Sequence, residues 1–168
     1  IWQLRGFDIS NMTLIEGKTR LIVFNPLTAR ESASAALAFA RKHLGDKPVS
    51  AIVFTHSHVD HFGGVLGVAS AQEVAQRSIP VVAPAGFIEE ATSENVLVGT
   101  AIARRSMYQF GKNLERSPKG NVDTGLGKNV AFGAIGVLMP TQLITMPEQE
   151  LVIDGVRFVF HNVPGAEA

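Results

Sequence analysis

VSAIVFTHSHVDHFGG (residues 49–64) decides how this chain is read. Its first six residues are almost continuously apolar and β-branched or aromatic, the mark of a strand buried on both faces. The next ten hold three of the chain's five histidines, His56, His58 and His61, with Asp60 among them. In extended backbone, residues two apart point the same way, so His56 and His58 can face one ion together. Asp60 and His61 lie past the bend, where they can face a second. Gly63 and Gly64 let the chain turn tightly into the next helix. Imidazole nitrogen and carboxylate oxygen without sulfur suit zinc or a similar divalent ion. A strand end is also where α/β sheets bind ligands. The competing readings are a polar surface loop and a structural zinc. Four ligand-type residues in six positions weigh against the first, and structural zinc normally recruits cysteine.

The chain contains no cysteine, so disulfides, thiolate sites and a cysteine nucleophile are excluded. With 168 residues, 46% of them apolar, it is long enough for one domain with a substantial core. The formal net charge of zero provides no field for nucleic acid or an anionic membrane. No apolar run is long enough to span a bilayer.

Outward from the cluster, the pattern is strand, helix, strand, helix, strand, which predicts an α/β layer. Residues 2–8 and 12–16 read as short strands, and TRLIVFNPL (19–27) as a buried strand ending at a turn. Residues 31–44 carry a helical apolar stripe stopped by Gly45 and Pro48. A helix is expected from Gly63-Gly64 to about Gln76, then a strand over IPVVAP. A long helix is expected over 93–110, with Thr92 or Ser93 as its N-cap. Residues 111–141 form a long glycine-rich loop. QLITM, QELVID and VRFVFHNV (142–163) read as antiparallel strands, with Asp154-Gly155 as a hairpin turn.

THSHVDHFGG resembles the signature of the metallo-β-lactamase superfamily. That resemblance implies an αββα sandwich with a one- or two-metal site at its edge. RGFDISNMTLIEG, FNPL, APAGFIEEATSENVLVG and GNVDTGLGK are similar to segments of its alkyl sulfatase branch. In most of the superfamily a Pro-Gly-His turn supplies the third ligand of the first metal. Here Pro164-Gly165 leads to Ala166-Glu167, as in alkyl sulfatases, and the role carries over to Glu167. The implied ligand set is therefore His56, His58 and Glu167 for one Zn2+, with Asp60 and His61 on the other. Asp60 is the candidate catalytic carboxylate. The implied activity is hydrolysis of a small-molecule alkyl sulfate ester by metal-bound hydroxide, with two Zn2+ per complete site. A lactonase, another hydrolase of the fold, and a metal-binding fragment without turnover are the alternatives.

The resemblance also implies that residues 1–168 are an N-terminal part of the catalytic domain, an incomplete sandwich. The family's sulfate-binding basic residues, dimerisation helices and lipid-binding-like domain lie in later segments. It implies a homodimeric full-length protein, periplasmic or secreted. Asn25 stands where the superfamily usually has an Asp that orients the ligand loops. His161 is read as a core or outer-shell histidine, and His43 as a helix-dipole partner. Glu89, Glu90 and Glu94 are read as charges complementing a helix start. GNVDTGLGKN fails as a P-loop, since Val122 and Asn129 stand where Gly and Ser or Thr are needed. Tyr108, Lys112, Arg116 and Lys119 are read as surface residues near it.

Overall fold

The computed structural model describes residues 1–124, 126–127 and 129–163. A six-stranded sheet is built from β1 (Trp2–Leu4), β2 (Met12–Glu16), β3 (Leu21–Phe24), β4 (Val49–Val53), β5 (Val81–Pro84) and β6 (Gln142–Ile144), in that spatial order. The first three strands pair antiparallel, and β3 to β6 pair parallel. One face is covered by α1 (Arg30–Leu44), α2 (Ala71–Arg77) and α3 (Phe87–Thr92). The other face is covered by a separate hairpin, β7 (Glu148–Ile153) and β8 (Val156–His161). Helices, sheet and the hairpin of a second sheet make the incomplete sandwich that the resemblance implies.

The central strands are apolar throughout because both their faces are buried. Leu21, Val23, Ile52, Phe54, Val81 and Ala83 pack with the helices. Ile22, Ala51, Val53 and Val82 pack with Ile144, Ile153 and the half-buried Phe24, Phe158 and Phe160. α1 buries Ala36, Leu37 and Ala40 of the expected stripe, and Ala33 as well, so mostly small side chains face the sheet. His43 sits in its last turn with its ring 4.8 Å from that of Phe39. Among the described residues no helix is long and apolar enough to cross a membrane.

Several elements differ from expectation for local reasons. The first strand ends at Leu4, because Gly6 adopts a φ of 83° and the buried Asp8 is drawn away from the sheet. Two short 3-10 turns follow His58, Val59–His61 and Val65–Gly67, and the second stands where the expected helix would begin. α2 begins only where the Ser70 hydroxyl accepts the Glu73 amide at 3.1 Å. The helix expected from residue 93 starts at Phe87, so Thr92 and Ser93 lie inside it and neither caps it. Gly86, at a φ of 85°, makes the turn that launches it. A π-helical turn over Ser93–Leu97 follows, then α4 (Gly99–Gln109).

Gln142–Ile144 is not part of an antiparallel set. It returns after the long loop to lie parallel to β5 at the sheet edge. The other two segments do form the expected hairpin. Asp154 and Gly155 both have positive φ, 46° and 77°, as a two-residue turn of matching twist requires.

Candidate metal centre

β4 carries the chain to the histidines between its parallel neighbours β3 and β5. Past the strand end the backbone bends at His56 and Ser57 and is extended again at His58. Ser57 is buried, while His56 and His58 emerge on the same side. Their rings lie 4.8 Å apart, centroid to centroid, and His56 Nε2 and His58 Nδ1 share a hydrogen bond at 3.1 Å. The 3-10 turn that follows folds His61 back until its ring is 4.1 Å from that of His56. His61 Nε2 also meets Asp60 Oδ2 at 3.2 Å. All four residues singled out in this stretch therefore come together, on an arc of backbone only six residues long.

The arc is held from behind. Gly64 donates its amide to the Leu27 carbonyl at 2.8 Å, and the Gly63 carbonyl accepts the Gly136 amide at 2.8 Å. A Cβ on Gly63 would lie 2.3 Å from the Thr28 carbonyl oxygen, and one on Gly64 2.2 Å from that of Pro26. The two glycines are needed for backbone-on-backbone contact, a stronger requirement than the turn alone. The facing segment is itself unusual, with Asn25 at a φ of 52° and Leu27 at 64°. Ser10 donates its hydroxyl to the Asp60 carbonyl from a third direction.

Asn25 Oδ1 accepts the Thr55 amide at 3.0 Å and the Thr55 hydroxyl at 3.1 Å. The amide contact identifies that Asn25 atom as oxygen. Thr55 Oγ1 also meets His56 Nδ1 at 2.9 Å. The hydroxyl has one proton, given to Asn25, so His56 Nδ1 is the donor in that contact. This leaves the Nε2 lone pair of His56 as its ligating face, turned toward the other histidines. Asn25 thus does the orienting work of an aspartate without the charge.

Burial works against the Asp60 charge, but the hydrogen bond and charge of His61 outweigh it. The carboxyl is held below its ordinary value of 3.8, and Asp60 is an anion at neutral pH. His61 Nδ1 is buried without a hydrogen-bond partner. A cluster of imidazoles, one carboxylate and one orphaned ring nitrogen suits a zinc-like ion in its donor chemistry. Among the described residues no three His, Asp or Glu side chains converge into a site complete for an ion. Glu167 lies outside the described residues, as does the Pro164-Gly165 turn.

Residues 5–160 match the model of the metallo-beta-lactamase superfamily. The chain belongs to the metallo-β-lactamase superfamily. Within it, the whole chain is 46% identical to an alkyl/aryl-sulfatase, BDS1, of Saccharomyces cerevisiae, of which it covers 26%. It is 44% identical over its whole length to a linear primary-alkylsulfatase of a Pseudomonas species, covering 25% of that protein. The structure of the stereoselective inverting sec-alkylsulfatase Pisa1, from Pseudomonas sp., superimposes with a TM-score of 0.89 at 43% identity. That match covers 95% of this chain and 25% of Pisa1. The chain thus spans about a quarter of the length of these relatives, and its likeness to alkylsulfatases extends throughout.

Three residues take places the sequence did not suggest. Glu94, read as a helix-start charge, lies in the π-helical turn with Oε1 3.6 Å from His58 Nε2. π-Turns commonly re-aim side chains in this way. Glu89 and Glu90 do stay in the exposed first turn of α3. His161 is not a core residue. It ends β8 with its side chain 61% exposed, 3.5 Å from Glu148, because alternation along the hairpin turns it away from the sheet. Asp8, in the RGFDISN stretch, is buried among hydrogen-bond donors.

Proposed function

We propose that this chain carries the first part of the active site of a zinc-dependent alkyl sulfate ester hydrolase. The observation that carries the reading is the convergence of His56, His58, Asp60 and His61 at the end of β4. Its branch assignment is supported by the 43–46% identity to proteins named as alkylsulfatases. His56, His58 and Glu167 would hold one zinc, and Asp60 and His61 would contribute to a second. Zinc, when bound, polarises the sulfate oxygens and lowers the pKa of a water it holds to about 7.

The chain's own residues supply placement and an apolar wall. Thr55, backed by Asn25, keeps the His56 proton on Nδ1. Asp60 enters as an anion, able to bind a cation or to accept a proton from water. Next to His58, Val59 and Phe62 begin an open apolar groove of about 430 Å³, lined further by Ile88, Ala91, Val96 and Ile135. A groove of that size and lining fits an alkyl chain, leaving the charged head at the histidines. The glycine-rich segment 111–141 contributes Ile135 to its wall.

The test is turnover by the full-length protein of dodecyl sulfate against a lactone and a β-lactam, with zinc content measured on the same sample. Sulfate release that depends on zinc supports the reading. Preferential lactone or β-lactam opening assigns another hydrolase of the fold. Zinc binding without turnover of any substrate assigns a non-catalytic site.

A further inference from the structure

Asp8 is the only charged side chain among the described residues that is buried to 2% exposure, and the proposed chemistry does not use it. Its carboxylate accepts five hydrogen bonds. Oδ1 takes the Ile9 amide at 2.7 Å, the Thr28 hydroxyl at 3.0 Å and the Ala131 amide at 3.2 Å. Oδ2 takes the Thr28 amide at 2.9 Å and the Ser32 hydroxyl at 3.0 Å. A buried anion is tolerated when its lone pairs are filled in this way. The donors come from three separate parts of the chain: the 8–10 segment, the start of α1, and the glycine-rich loop.

Each part leads to the proposed site. Ser10, two residues on, donates its hydroxyl to the Asp60 carbonyl. The backbone at Thr28 packs against Gly63. The glycine-rich loop presses its backbone onto the same point, since a Cβ on Gly127 would lie 2.6 Å from the Asp8 carbonyl oxygen. The GNVDTGLGKN stretch, which fails as a phosphate loop, thus has a packing role here.

The geometry points to Asp8 as a positioning residue: one buried carboxylate sets the metal-ligand arc, through Ser10, and the glycine-rich loop, through Ala131, in a common frame. This rests on the metal site proposed above. Asp8 touches neither metal nor substrate. A carboxylate is required because every partner donates. An asparagine would turn an NH2 toward at least one backbone N–H in either orientation, since Oδ1 accepts two backbone amides and Oδ2 one.

The test uses the full-length protein and compares Asp8→Asn and Ser10→Ala with Val74→Ala, a core truncation on α2 remote from the arc. Zinc affinity is measured by competition with a chromophoric chelator, well below each melting temperature. Asp8→Asn is expected to weaken zinc roughly 10–100-fold, the usual effect of losing an outer partner, and Ser10→Ala about 3–10-fold. Val74→Ala should lower the melting temperature and leave affinity within about twofold. Ser10→Ala should lower kcat with KM unchanged, whereas Asp8→Asn should also raise KM, because it frees the loop as well. If Asp8→Asn melts early but binds zinc like the wild type, its role is structural only and the inference fails. If Asp8→Asn does not fold, Ser10→Ala decides, and unchanged zinc affinity there overturns the inference. A wild type that holds no zinc overturns this inference and the functional reading together. A wild type that holds zinc but spares alkyl sulfates overturns only the latter.

Discussion

Asn25 and Thr55 are joined twice, through the Thr55 amide and the Thr55 hydroxyl, on a single Asn25 oxygen. The pairing spans β3 and β4 at their common end and dictates which nitrogen of His56 is protonated. Asn25→Ala removes the one oxygen that accepts both contacts and places alanine at a φ of 52°, where asparagine is better tolerated. We expect zinc affinity of the full-length protein to fall about tenfold, as for other outer-partner losses. Asn25→Asp keeps both contacts and should bind zinc at least as tightly. Chelator competition on the two variants measures this. Equal weakening in both would refute the orienting role.

Gly64 and Gly99 give opposite expectations for the same substitution. A Cβ at Gly64 meets the Pro26 and Ala29 carbonyl oxygens at 2.2 and 2.7 Å, both backbone atoms that cannot swing aside. Gly64→Ala should cost about 3 kcal/mol or more and displace the histidine arc. At Gly99 the nearest neighbour is the Glu94 carbonyl oxygen at 3.7 Å, an ordinary contact in the first turn of α4. Gly99→Ala should be neutral or stabilising by roughly 0.5 kcal/mol. Thermal melts of both variants check the pair.

The Asp154 carboxylate fastens the β7–β8 turn to the β2–β3 turn. It accepts the Thr19 amide at 3.1 Å, the Thr19 hydroxyl at 2.9 Å and the Arg20 amide at 2.7 Å. Desolvation works to raise its pKa, but these hydrogen bonds outweigh that and hold it below its ordinary 3.8. A depressed carboxylate stabilises the fold above its unfolded pKa and loses that contribution as pH falls through the folded value. The group is exposed to solvent, which keeps the effect small, about 1 kcal/mol or less. Denaturant midpoints of wild type and Asp154→Ala should differ at neutral pH and converge as pH drops from about 5 to about 2.

His58 and His161 should separate cleanly. His58→Ala removes a member of the cluster and should abolish stoichiometric zinc and lower kcat by at least about a hundredfold, as expected when a metal's contribution is lost. His161→Ala, on an exposed strand end beside Glu148, should change zinc content and turnover less than about twofold. Elemental analysis and an alkyl sulfate assay on the full-length protein decide this. Loss of zinc in His161→Ala would place that residue in the centre.

The histidine arc was legible because its chemistry is local. Four ligand-type residues in six positions, after a strand and before two glycines, are sufficient to name a candidate site and its place in the fold. The two-faced central strands were legible for a similar reason, as was the Asp154-Gly155 hairpin, whose turn chemistry occupies adjacent residues. Glu94 was not. A glutamate near a helix start has the same sequence signature whether it complements a dipole or is swung by a π-turn toward His58.

By itself, then, the sequence determined the α/β order, the arc and the family resemblance, since each depends on spacing along the chain. Tertiary structure alone decided that β6 runs parallel to β5 and that His161 faces outward. It also decided that Asp8, a lone carboxylate in a short strand-like run, lies buried under donors from Thr28, Ser32 and Ala131. Those outcomes depend on partners up to 123 positions away, and residue spacing holds no record of which distant backbone amide a carboxylate will meet.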